Sequence, residues 1–223
     1  MKYFIANWKA NKTKEEADRW VDTFLTGIQS NSILKNALLE DSLRIILCPP
    51  FPLLYPISAK ISGYKNIYLG SQDVSVFDKG SLTGEVPADL LKGVIQYVII
   101  GHSERRNLLH ETDAMLSKKV EKAKSVGIEP IFCVRGEQDM IPPGVRMVAY
   151  EPVWAIGTGK NDSLDEVLTT KQKLQSSPTT VFLYGGSVNE DNAKIYLSSE
   201  QIDGLLVGTA SLNPDYFLRI TTK

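Results

Sequence analysis

The sequence predicts an α/β protein built as a single (β/α)8 barrel spanning residues 1–223. Three observations predict it: eight short apolar runs at recurring intervals, amphipathic helical stretches between several of them, and no linker-like or low-complexity segment anywhere in the 223 residues. Each run is apolar on successive positions rather than on alternate ones. Strands buried on both faces read this way, and parallel sheets are buried on both faces.

In chain order, the first run is YFIAN (residues 3–7), and charged-faced helical spacing over residues 14–28 follows it. The second run is LRIILC (43–48), the third IYLGSQ (67–72) and the fourth YVIIG (97–101), with a second helical stretch over 111–126. Then come PIFCV (130–134) and MVAYE (147–151), a third helical stretch over 163–175, and finally VFLY (181–184) and GLLV (204–207). Periodicity alone leaves an open doubly wound sheet as the structural alternative. One connection breaks the repeat: only residues 135–146 separate the fifth and sixth runs, and they include Pro142 and Pro143. Proline disrupts a helix interior and the segment is too short for a crossover helix, so the helix between strands 5 and 6 is expected to be missing or reduced to a turn.

Composition narrows the function classes. A hydrophobic content of 43% and a charged content of 23% are ordinary for a globular protein. The net charge of −1 offers no bulk positive field for nucleic acid and no basic tail for a membrane surface, so neither is an expected partner. Any anionic ligand must then be held by local groups. Cys48 and Cys133 lie far apart and match no metal spacing, so they read as buried thiols. No apolar stretch approaches the ~18 residues of a membrane span, and the expected location is the cytoplasm.

In a parallel barrel the active site forms where strands end and βα-loops begin. Those ends carry Asn7, Lys9 and Asn11 after the first run, His102, Ser103, Glu104 and Arg105 after the fourth, and Glu151 at the end of the sixth. The seventh ends in Gly185-Gly186-Ser187 and the eighth in Gly208-Thr209. A lysine, a histidine and a glutamate at one mouth can serve as cation, acid–base group and base, and glycine turns offer backbone N–H groups to an anion. Singly, each residue reads as an ordinary loop acid, structural histidine, surface lysine or turn. Their coincidence on one side of eight strands carries the functional reading. The GTGK stretch at residues 157–160 is not an ATPase phosphate loop, because that motif needs glycine where Trp154 stands and Ser or Thr where Asn161 stands.

Together the motifs NWKAN (7–11), GSLTGE (80–85), GHSERR (101–106), AYEPVWAIGTGK (149–160), YGGSV (184–188) and DGLLVG (203–208) resemble the triosephosphate isomerase family over essentially the whole chain. The resemblance implies a TIM barrel and an aldose–ketose isomerase of glycolysis and gluconeogenesis. Such an enzyme interconverts dihydroxyacetone phosphate and D-glyceraldehyde 3-phosphate with no cofactor and no metal. It implies Glu151 as base, His102 as a neutral electrophile, Lys9 as the cation at the developing oxyanion, and Asn7 as the residue that helps place it. Ser103 is expected to cap a helix that keeps His102 neutral, and Glu104 to pair with Lys9. Gly157, Ser187, Gly208 and Thr209 would hold the substrate phosphate through backbone N–H groups. Pro152, Val153, Trp154, Ala155, Ile156, Gly157, Thr158, Gly159 and Lys160 would form a lid. The resemblance also implies a homodimer, with Thr83 reaching Asn11 of the partner and Glu85 pairing with Arg105 across the interface. Alternatives are another phosphosugar-binding barrel enzyme and a non-catalytic barrel binding protein. Three departures from the family pattern stand out: Thr209 in place of a usual glycine, one residue more in Cys133-Val134-Arg135-Gly136-Glu137, and the short segment after it.

Overall fold

The computed structural model describes residues 1–152, 161–174 and 179–223. Eight parallel strands close into a barrel in sequence order: β1 Lys2–Asn7, β2 Leu43–Cys48, β3 Ile67–Ser71, β4 Tyr97–Ile100, β5 Glu129–Val134, β6 Met147–Tyr150, β7 Val181–Tyr184 and β8 Gly204–Val207. The last strand pairs with the first, Tyr3 opposite Gly204, so no sheet edge is left open. That closure needs Gly204: a Cβ there would sit 2.0 Å from the Tyr3 carbonyl oxygen, deep inside contact distance.

The successive apolar residues fill two separate cores because side chains alternate across each strand. Ile5, Ile46, Ile99, Ile131, Ala149, Leu183 and Leu206 pack inside the barrel with Cys48 and Cys133. Their neighbours Phe4, Ile45, Val98, Phe132, Val148, Phe182 and Leu205 face outward against the helices. This is why the strands carry no polar alternation: both faces are dry.

The helices are α1 Lys14–Ser30, α2 Ser32–Leu39, α3 Leu54–Ile61, α4 Ala88–Leu91, α5 Ser103–Leu108, α6 Asp113–Ser125, α7 Leu164–Lys173, α8 Ala193–Leu197 and α9 Pro214–Thr221. Local chemistry starts several of them. Thr13 and Glu16 form a capping box on α1, and Ser163 and Glu166 form another on α7. Trp20 stacks on Phe24, and Phe217 packs against both at a tilt where α1 meets α9, which seals the first helix of the ring against the last. Four-residue α4, between β3 and β4, has no periodic signal in the sequence to reveal it.

Residues 135–146 contain no helix, as the double proline and the short spacing predict. The outer faces of β5 and β6 are covered by other means. Phe132 lies under the Arg106 guanidinium at 5.6 Å, and Ile141 and Val145 pack on the outer core. Arg135 and Asp139 clamp the start of the connection through a fork of side-chain bonds at 2.7 and 3.0 Å.

Candidate active site

The C-terminal ends of β1, β4, β6, β7 and β8 surround one cavity of about 680 Å3, lined among others by Asn7, Lys9, His102, Glu151, Ser187, Gly208 and Thr209. Each side chain is set by its strand end. After β1 the chain turns sharply, and Lys9 adopts a left-handed backbone with φ of 54°, a conformation that costs a non-glycine residue on the order of 1 kcal/mol and persists only where surroundings enforce it. Two groups enforce it. The Lys9 N–H donates to the side-chain oxygen of buried Asn7 at 3.1 Å, and the amide of Gln72 donates to the Lys9 carbonyl at 2.8 Å. The ammonium then reaches Oε1 of Glu104 at 2.5 Å, which is the expected pairing.

Beyond β4, Gly101 has φ of 75°, a backbone that favours glycine, and Arg106 fills the space a side chain would take. His102 follows and is itself the N-cap of α5. Its Nδ1 accepts the Glu104 N–H at 3.2 Å. The expectation that Ser103 caps this helix is therefore corrected. Ser103 is already the first helical residue, where its side chain cannot reach an N-terminal amide from the cap position, and its buried hydroxyl has no hydrogen-bond partner among the described residues. Its backbone N–H instead donates to Oε2 of Glu151 at 3.1 Å.

Glu151 is 2% exposed, and its Oε1 lies 2.9 Å from Nε2 of His102. Acid and imidazole thus face each other across the mouth. A Nδ1 that accepts a hydrogen bond carries no proton, so the neutral ring holds its proton at Nε2, aimed at the carboxylate. The pKa of His102 is nevertheless raised. Burial alone lowers it, and the charge and hydrogen bond of Glu151 together outweigh that effect. The neutral state expected from the helix terminus is opposed here by the carboxylate. Cys133, inside the barrel below, has its thiol pushed well up, first by burial and then by Glu151, so it stays protonated next to the acid.

On the opposite wall, Ser187 has φ of 41°, and its carbonyl accepts from the side-chain amide of Asn192 at 3.0 Å. Thr209 begins a 3-10 turn that runs to Leu212, and such a turn leaves its first amides without partners inside it. A side chain at Gly208 would approach Lys9 Cε at 3.5 Å, so this turn and the lysine are immediate neighbours. Pro152 is buried directly after Glu151, whereas Val153, Trp154, Ala155, Ile156, Gly157, Thr158, Gly159 and Lys160 lie outside the described residues.

The residues expected at a subunit contact lie away from the cavity lining. Thr83 and Glu85 are exposed, and Glu85 accepts a hydrogen bond from the Ser75 hydroxyl. Arg105 is already paired within its own chain, to Asp73 at 2.6 Å and Glu111 at 2.8 Å. The exposed Asn11 donates to the Trp8 carbonyl at 2.7 Å. Sequence reasoning missed Gln72, although it ends the third apolar run and strand ends are where site residues gather. Among the described residues no group of three or more His, Cys, Asp or Glu is arranged to hold a metal ion, and no helix is long and apolar enough to cross a membrane.

A closed parallel barrel that turns a carboxylate, an imidazole and an ammonium toward one pocket is a barrel enzyme equipped for proton transfer. The family model described as triosephosphate isomerase matches residues 2–141 and 143–223. The chain is 38% identical to the triosephosphate isomerase of Dictyoglomus thermophilum, with 98% of each chain covered. It is 35% identical to that of Aquifex aeolicus, with 96% of each covered. The crystal structure of triosephosphate isomerase from Bartonella henselae superposes with a TM-score of 0.79 at 29% identity, covering 98% of this chain and 97% of that one. The chain belongs to the triosephosphate isomerase family.

Proposed function

We propose that the site interconverts dihydroxyacetone phosphate and D-glyceraldehyde 3-phosphate through an enediolate, with Glu151 as the base. A proton α to a ketone is only weakly acidic, so a carboxylate removes it efficiently only if the oxygen that gains charge is stabilised at the same moment. Glu151 takes the proton from the hydroxymethyl carbon of the ketone and returns it to the adjacent carbon, which becomes C2 of the aldehyde. His102 faces the two oxygens with its Nε2 proton, supplies a proton to one as charge builds, and recovers one from the other. Lys9 holds a fixed positive charge beside them.

The observation that carries this reading is the placement of His102. One nitrogen is fixed by the α5 amide and the other is directed at Glu151 across the pocket, 2.9 Å away. Substrate entry separates acid from imidazole and places the carbonyl oxygen at Nε2. With the carboxylate drawn off to carbon, burial then favours the neutral ring. Backbone N–H groups of Gly157, Ser187, Gly208 and Thr209 would receive the phosphate, which explains how a chain of net charge −1 concentrates donors on a dianion. The family lid, residues 152–160, would exclude water from the enediolate.

The same reading carries a cytoplasmic homodimer, in which Thr83 of one subunit meets Asn11 near Lys9 of the other. Leu82, 36% exposed on the segment of residues 80–85 that would cross, favours it, as does Phe77, 49% exposed just before that segment. A coupled assay of triose phosphate interconversion on wild type and Glu151→Gln tests the chemistry. Turnover in the variant should fall on the order of 10³-fold while phosphate still binds, a typical scale for losing a general base. Unchanged turnover would remove Glu151 from its role. Light scattering tests the dimer, and a fully active monomer would refute it.

A further inference from the structure

Asp162 is 4% exposed, yet among the described residues no lysine, arginine or histidine pairs with it. A buried carboxylate without a cation is costly, and such groups persist where their position is needed. Its surroundings are three tyrosines from three different elements. Tyr150, the last residue of β6, donates its hydroxyl to Oδ2 of Asp162 at 2.8 Å. Tyr184, the last residue of β7, accepts the Asp162 N–H at 3.1 Å. Tyr196 of α8 donates to the Asp162 carbonyl at 2.6 Å and stacks on Tyr184 with ring centroids 3.9 Å apart. Asn161 extends the cluster, donating to the Tyr196 hydroxyl at 2.7 Å.

The positions of two of these tyrosines are telling. Tyr150 immediately precedes Glu151, and Tyr184 immediately precedes Gly185-Gly186-Ser187. Along a strand, successive side chains point to opposite faces. Fixing the Tyr150 hydroxyl on the outside therefore fixes the direction in which Glu151 leaves the strand on the inside. The peptide between them is tied down as well, since Gly185 N–H donates to the Tyr150 carbonyl and Glu151 N–H to the Val134 carbonyl, both at 2.8 Å. The Asp162 carboxylate reaches this frame from outside the sheet, as does the Thr170 side chain of α7, which also hydrogen-bonds Tyr150.

We propose that the Asp162 carboxylate is a positioning group for catalysis: through Tyr150 it holds the base at its working angle. The inference rests on Glu151 being the base. Asp162 touches no reacting atom, so its loss should slow the chemical step without weakening substrate binding. Burial raises the pKa of Asp162 more than the Tyr150 hydrogen bond lowers it, consistent with a carboxylate kept for its geometry at some expense of stability.

The test uses the full chain and four variants: Asp162→Ala, Asp162→Asn, Tyr150→Phe and the double Asp162→Ala/Tyr150→Phe. Asp162→Ala and Tyr150→Phe should each lower kcat about tenfold with KM changed less than about twofold, the scale of a small misplacement of a reacting group. The double variant should be no slower than the slower single variant, because both remove one interaction. Asp162→Asn keeps an oxygen that accepts from Tyr150 and should restore most of kcat. Multiplying losses in the double variant, an unrescued Asp162→Asn, or a kcat equal to wild type in Asp162→Ala would each overturn the proposal. Should Asp162→Ala fail to fold, Tyr150→Phe and Asp162→Asn decide it alone. Wild type and Glu151→Gln, assayed alongside, show separately whether the underlying reading of the base holds.

Discussion

Nε2 of His102 and Oε1 of Glu151 stand 2.9 Å apart, and each group sets the charge of the other's surroundings. The pKa of His102 is raised from its ordinary 6.5 because the carboxylate outweighs burial. Glu151→Gln keeps the shape and removes the charge, so burial should then prevail and the His102 titration should move downward. The chain has two histidines, and the other, His110, is exposed, so the ring signals separate readily in an NMR titration. A His102 titration unmoved by the variant would assign the raised value to another group. The sign for stability follows. A histidine whose folded pKa lies above its unfolded value stabilises below pH 6.5, and that contribution is lost as pH rises through the folded pKa. Wild type should therefore lose this increment between mildly acidic and mildly alkaline urea titrations, and Glu151→Gln should not.

Glu104 holds Lys9 at 2.5 Å, and its side chain is 43% exposed. An ion pair this open to water contributes little to folding, about 1 kcal/mol at most. On the proposed chemistry its effect should instead appear in catalysis, where Lys9 would sit at a fixed point beside the developing oxyanion. Glu104→Gln is expected to lower kcat/KM about tenfold while shifting the urea midpoint little. A large midpoint shift with unaltered kinetics would reverse that assignment.

A second charged cluster behaves differently. Lys119 is 4% exposed and bonds both Asp73 and Glu111, which also share Arg105. Burial raises the pKa of Asp73 more than these cations lower it. Lys119→Met would leave buried Glu111 and partly buried Asp73 with one cation between them, a defect typically worth about 3–5 kcal/mol. Equilibrium urea unfolding measures it directly, and a loss under about 1 kcal/mol would show that the cluster hydrates readily.

Lys12 occupies a left-handed position with φ of 77° and sends its ammonium to the Leu212 carbonyl at 2.8 Å, passing over the Trp8 ring at 5.3 Å. It thereby ties the β1 turn to the end of the 3-10 turn that Thr209 begins. Lys12→Gly relieves backbone strain and removes the tie, so the two effects on stability should cancel to within about 1 kcal/mol. If the 3-10 turn holds the substrate phosphate as proposed, inhibition by inorganic phosphate should weaken about threefold as that turn loosens. Phosphate inhibition equal to wild type would confine Lys12 to packing.

The barrel and its site differ in how far they were legible in the sequence. All eight strands show as apolar runs because burial on both faces leaves a continuous signal, and the double proline marks the absent helix. Lys9, His102 and Glu151 stand out because strand ends are few. What the sequence conceals is contact between distant positions. Nothing in the residues near Asp162 announces Tyr184 or Tyr196, which reach it only after the barrel closes. The α5 cap departs from the sequence expectation for a related reason. Serine is the commoner cap residue, but the turn after Gly101 starts the helix one residue early and hands that position to an imidazole.

The helix-free connection from β5 to β6 also says something about how the molecule is assembled. The two strands pair over four residues, from Ile131 opposite Met147 to Val134 opposite Tyr150, and a helix-free connection with Asp139 and Pro142 buried joins them. The ring of strands is thus a hoop that stays shut without cladding at every stave. Pro143 and Gly144, both exposed, are where that hoop could be opened to make new chain ends at least cost, moving the termini to the far side of the barrel and leaving every strand in its place.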